Sequence, residues 1–103
     1  MPVVVTAVFH PLDGRRDELV AALRATMPAV HSEDGCLLYA IHDADDGTIT
    51  MIEKWTSRDA LRAHAAGSAV KDLDSAVRSL LASPTVVTTM QPIPVGDADR
   101  GEL

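Results

Sequence analysis

Among the side chains of this 103-residue chain that could carry chemistry, Glu53 is the one at odds with its surroundings. It falls in a short strand-like run with Met51, Ile52 and Trp55. A carboxylate there is costly to bury unless paired, so it is either a structural partner for an Arg or an amide, or an acid/base group. Trp55, two residues on, shares its strand face and brings an indole N–H, although plain packing would also account for it. His10, His31, His42 and His64 are the only side chains whose ordinary pKa lies near neutrality. No two histidines stand three or four apart, and Cys36, the single cysteine, has no partner in sequence, so no metal site is expected. Cys36 is also a weak nucleophile candidate, since a small buried hydrophobe is the usual outcome at a strand start.

The chain's composition narrows what these residues can serve. Nine Lys and Arg against 15 Asp and Glu give a net charge of −6, and no basic cluster stands out, which argues against nucleic acid. Aromatic residues are only 3% of the chain, too few for base stacking, and they leave an aliphatic core. No apolar run is long enough to span a bilayer, and the opening Met-Pro-Val-Val-Val lacks a basic start, so a cytoplasmic protein is expected. The lone cysteine agrees with a reducing compartment.

The elements that must position the candidates follow from periodicity. Val3–His10 reads as a strand, ended by Pro11-Leu-Asp-Gly14. Asp13 is the expected cap of a helix carrying Leu19, Leu23, Met27 and Val30, with Pro28 kinking or ending its regular part. Cys36–Asp43 and Thr48–Trp55 read as strands joined by Ala44-Asp-Asp-Gly47, a hairpin. Ser57 caps a second helix, interrupted at Gly67-Ser68 and continued through Val70, Leu73, Val77 and Leu81. Thr85–Met90 is the fourth strand.

The order β-α-β-β-α-β is the ferredoxin-like split βαβ, an α+β fold with a four-stranded antiparallel sheet and both helices on one face. Residues 1–95 form the single expected domain, and residues 96–103 a polar tail. The bare sheet face would expose Val4, Val8, Leu37, Tyr39, Ile41 and Ile52, which predicts a homodimer through that face.

Pairing Asp43 with Thr48 across a four-residue loop would set His42 opposite Ile49 and Leu38 opposite Glu53. That register puts Cys36, Leu38, Ala40, His42, Met51, Glu53 and Trp55 on one face, the expected pocket wall. Tyr39 would then face the dimer side. His10 and His31 read as surface residues.

Three segments are similar to one family. Glu33-Asp-Gly-Cys-Leu-Leu-Tyr39 resembles the E-x-G-C-x-x-Y stretch of the antibiotic biosynthesis monooxygenase (ABM) family. Ile52-Glu-Lys-Trp-Thr-Ser57 with Ala60, Leu61 and His64 resembles its E-x-W-x-S-x-x-A-L-x-x-H signature, and the opening strand with Pro11 and Gly14 also fits. The resemblance implies a dimeric α+β barrel, and oxidation of quinol or other phenolic aromatics by dioxygen without flavin, haem or metal. It also implies His64, on the second helix, as the base facing a cavity between helices and sheet. Glu53 is expected to orient that base, and the expected pocket face from the hairpin register offers Trp55, His42, Met51 and Leu38 as substrate contacts.

The chain departs from the family's haem-degrading members, which have Trp at His64, an axial His at Asp74 and Asn at Ala7. Haem degradation is therefore not expected. Anthrone-oxidising members have Asn where this chain has Met51, and many relatives have a Pro-aromatic or Pro-His stretch where it reads Ala66-Gly-Ser-Ala-Val-Lys71, so the pocket differs in shape. Two other readings stand beside the oxygenase. One is an isomerase or proton-transfer enzyme using the same acid/base pair; the other is a dimeric protein that binds an aromatic metabolite without turnover.

Overall fold

Along the first strand, β1 (Val3–Phe9), the alternate residues Val3, Val5, Ala7 and Phe9 are buried on one face. A computed structural model describes residues 1–103. After β1 come helix α1 (Arg16–His31), strands β2 (Cys36–Asp43) and β3 (Ile49–Trp55), and helices α2 (Arg58–Ala65) and α3 (Ser68–Val77). A 3-10 turn at Arg78–Leu80 then leads to strand β4 (Val86–Met90). The sheet order is β2-β3-β1-β4, antiparallel throughout. This is the expected ferredoxin-like α+β arrangement, with the second helix in two pieces. No helix is long and apolar enough to cross a membrane.

The core lies between the sheet and α1. Leu19, Leu23 and Val30 of α1 and Trp55 of β3 have no exposed surface. Burial of each aliphatic side chain stabilises the fold by roughly 1.5–3 kcal/mol. Asp13 does not cap α1: Arg15 occupies the cap position with no side-chain hydrogen bond. The chain turns there through Gly14, at φ +76°, and the Arg15 N–H donates to the Leu12 carbonyl at 3.0 Å. Pro28 does not end the helix either. It lies on the exposed side, where water can take the carbonyl it leaves unpaired, and the helix runs on to His31.

The hairpin register differs by one residue from the expected one. Asp43 pairs with Ile49 and Tyr39 with Glu53. The cause is the loop. The Ala44 N–H donates to the Thr48 carbonyl at 3.0 Å, so only Asp45-Asp46-Gly47 lies between them. Gly47 takes φ +88°, the left-handed position that three-residue hairpin loops demand. The Asp46 carboxylate accepts from both the Thr48 N–H (3.0 Å) and its hydroxyl (2.6 Å), fixing the turn.

The slip exchanges the faces of most of β2. Leu38, Ala40 and His42 pair with Lys54, Ile52 and Thr50 on the face away from the helices, with His42 exposed. Leu38 and His42 therefore leave the expected pocket wall, whereas Tyr39 and Ile41 turn toward the helices and pack on the core. An irregularity between Cys36 and Leu38 absorbs the extra residue, and Cys36 sits opposite Trp55 as expected. Leu37, at the bulge, is 55% exposed.

Gly35 couples β2 to the start of α2. Its carbonyl accepts the Thr56 N–H at 2.9 Å, and a Cβ built on it would lie 2.6 Å from the Ala60 Cβ and 2.7 Å from the Thr56 hydroxyl. With φ at +83°, the position opposes any side chain twice over, by backbone conformation and by contact. Gly35→Ala is expected to destabilise the protein by about 2–4 kcal/mol in urea unfolding. Adding Ala60→Gly should recover part of the loss; an additive double variant would show that the contact carries none of it.

Candidate active site

The site begins with the cap of α2. Ser57 Oγ accepts the Ala60 N–H at 3.1 Å, which starts the helix so that His64 falls in its last turn, facing the sheet. The imidazole is 6% exposed. It lies over the Trp55 indole, ring centroids 4.4 Å apart, and meets the Tyr39 ring edgewise at 5.5 Å. Three elements thus hold one side chain.

A fourth segment sets its protons. Glu33, just beyond the end of α1, places Oε2 2.9 Å from His64 Nδ1. A carboxylate can only accept, so Nδ1 carries the hydrogen and donates it, and in the neutral ring Nε2 is left with the lone pair. On that side stands Glu53, its Oε1 3.9 Å from Nε2, too far for a hydrogen bond. The residue that orients the imidazole is therefore Glu33, in place of the expected Glu53.

Glu53 is 6% exposed in the middle of the sheet, and the Trp55 indole N–H donates to its Oε1 at 3.0 Å. Burial pushes the Glu53 carboxyl above its ordinary range, and Glu33 adds to this; the Trp55 hydrogen bond and His64 pull the other way. Burial likewise raises the Tyr39 phenol, reinforced by Glu53 and Glu33, so it remains a protonated donor. The Cys36 thiol is also raised, first by burial and then by the same two carboxylates, and stays unreactive.

These groups open onto a cleft of about 300 Å³ between the sheet and α2–α3. His64, Glu53, Tyr39 and Met51 line its inner part along with Val5, Ala7 and Phe9. Leu61, Val70 and Leu73 cover it from the helices, and Asp74, Thr85, Val87 and Thr89 complete its wall. Of the residues singled out from sequence, the structure brings His64, Glu53 and Met51 to this cleft. Trp55 lies behind His64 and Glu53 rather than in the wall, and Leu38 and His42 are on the far face. Glu33 and Tyr39 are the additions. Both bracket the first family-like segment, which periodicity alone reads as a helix stop and a strand.

The antibiotic biosynthesis monooxygenase family model matches residues 2–74, and the chain belongs to that family. It is 34% identical over 93 residues to a Mycobacterium tuberculosis protein called "Putative monooxygenase Rv0793", a match covering 89% of this chain and 92% of that one. The solved structure of Rv0793 superimposes with a TM-score of 0.86 at 32% identity, covering 94% of this chain and 100% of the other. A Caulobacter crescentus structure described as a putative antibiotic biosynthesis monooxygenase gives a TM-score of 0.81 at 21% identity, covering 89% and 90%, and shares the fold. A conserved protein from Methanosarcina mazei does so too, at 0.83 and 17%, covering 88% and 92%.

The raised Glu53 carboxyl has a thermodynamic consequence. The native state holds this proton more tightly than the unfolded chain, so stability from this group is full below the ordinary value of 4.5 and is lost as pH rises through the higher folded value. Glu53→Gln keeps an acceptor for Trp55 and removes the titration. The stability of Glu53→Gln relative to wild type, from urea unfolding at pH 4 and pH 7, should increase with pH. A difference that is flat with pH would contradict the assignment.

Proposed function

We propose that the chain is a monooxygenase that oxidises a small aromatic quinol or polyphenol with dioxygen as co-substrate and no cofactor of its own. The observation that carries this reading is His64, with Nδ1 tied to Glu33 and Nε2 facing an apolar cleft beside Glu53 and Tyr39. That arrangement makes Nε2 a general base for a phenol hydroxyl, with Glu33 stabilising the imidazolium that forms. Tyr39 lines the same cleft, which supports a role for its hydroxyl as donor to the substrate oxygen.

The phenolate supplies the electrons. It passes one to dioxygen, and the radical pair combines at an unsubstituted ring carbon conjugated with the phenolate oxygen, forming a C–O bond. The imidazolium returns its proton to the peroxide. Loss of the proton from that carbon then breaks the O–O bond: one oxygen stays as a carbonyl and the other leaves as water. Phenol plus dioxygen gives quinone plus water, so no external reductant is needed. The apolar lining keeps bulk water from the peroxide.

The homodimer belongs to the same reading. Leu38, Ile52, Val86 and Met90 share the sheet face away from the helices, a partly exposed apolar surface that a second copy would cover, whereas Val4 on the same face is already buried within the chain. Sedimentation at micromolar concentration should give twice the chain mass; a monomer there would remove this part of the proposal.

The deciding measurement is dioxygen uptake by metal-free protein against naphthohydroquinols, anthrones and catechols. Uptake should exceed autoxidation and fall about 10²–10⁴-fold in His64→Ala. Glu33→Ala, which frees the ring, should cost about 10–100-fold. Uptake indifferent to His64→Ala would move the base elsewhere. No uptake across the panel would overturn the oxygenase reading.

A further inference from the structure

The charged groups of the cleft are unbalanced. Glu53 and Asp74 line it, no Lys or Arg does, and its one ionisable nitrogen base, His64, is already hydrogen-bonded to Glu33. Asp74, on α3, is exposed beside the buried Leu73 and lines the cleft together with Thr85, Val87 and Thr89. It makes no ion pair, although Lys71 and Arg78 stand one turn away on either side. Deeper in, the Tyr39 hydroxyl makes no hydrogen bond within the protein and reaches the open space of the same cleft. A hydroxyl that donates to nothing within the protein is free to donate to a ligand oxygen in the cleft.

We infer that the cleft selects uncharged hydroxyaromatic ligands over those carrying a carboxylate or phosphate, and that Asp74 at its mouth is the specificity-determining residue. The ligand's hydroxyl sits inside against Tyr39 and His64. Any substituent on the opposite end of the ring system points toward Asp74. An anion there meets a carboxylate with no cation in the wall to offset it, next to apolar surface where the repulsion is screened less than in water. A neutral amide of the same shape meets a hydrogen-bond acceptor instead. The volume is at the small end of ligand cavities, which suits a compact ring system.

This inference rests on the cleft being the substrate site, but its test reads binding and not turnover, so it stands or falls apart from the oxygenase chemistry. The probes are 6-hydroxy-2-naphthamide and 6-hydroxy-2-naphthoate, nearly equal in shape and different in charge, titrated at pH 7.5 by calorimetry. The amide should bind at least tenfold more tightly. Asp74→Asn should narrow the gap several-fold, strengthening the naphthoate more than it changes the amide, and Asp74→Lys should close or reverse it. Tyr39→Phe should weaken both probes equally, which separates reading of the hydroxyl from reading of the charge. Equal affinities in the wild type, a gap untouched by Asp74→Asn, or no binding of either probe would each overturn the inference. Oxygen uptake without charge selection would keep the proposed reaction and discard Asp74; charge selection without uptake would do the reverse.

Discussion

A carboxylate removed from water in the middle of a β-sheet governs the arrangement of the site. Glu53 sits where an apolar residue would pack, and its burial must be offset by groups that reach it from within the protein. The Trp55 indole N–H, two residues along the same strand face, supplies a direct hydrogen bond, and the His64 ring supplies a neighbour able to carry positive charge. The indole can do this only because it is itself fully buried, and the imidazole because it lies over the indole. Glu33 then holds the far side of the ring. Charge, aromatic stacking and tautomer are thus settled together, and none of the four side chains could be replaced without altering what the other three do.

The backbone serves this arrangement through close approach. Gly35 lets the start of β2 lie against the first turn of α2, which brings the end of α1, and Glu33 with it, alongside the last turn of α2. The break after α2 lets α3 continue over the sheet, where Val70 and Leu73 cover the cleft. Glutamate, imidazole and cleft come from four separate segments, and their meeting is a property of packing more than of any one element.

This division explains what could be read from the chain itself. The order of strands and helices followed from alternation, helical spacing and the Ser57 cap, because these are local preferences that the tertiary structure only reinforced. Glu53 and His64 also showed themselves, the first by an acid among apolar neighbours and the second through the family-like signature. Pairing across the hairpin did not. Whether Ala44 ends the strand or opens the loop depends on a contest between loop lengths that Asp46 and Gly47 decide together, and an error of one residue moves the side chains from Leu38 to Asp43 to the other face. Tyr39 was misplaced for that reason. Glu33 was missed for a different one: beside Asp34 and Gly35 it reads as a helix stop, and its partner lies 31 residues away.

The three-residue loop and the irregularity at Leu37 are best considered together. One advances the register of β2 against β3, and the other returns it, so the displacement is confined to the stretch from Leu38 to Asp43. Cys36, the Gly35 contact and everything leading into α2 are indifferent to it. The two act as a matched pair of gear teeth, allowing the middle of one strand to be turned over without disturbing either end. A lineage could therefore exchange what this strand shows to the cleft with what it shows to the opposite side by shortening one feature and lengthening the other. His64, Glu33 and the core beneath them would stay where they are.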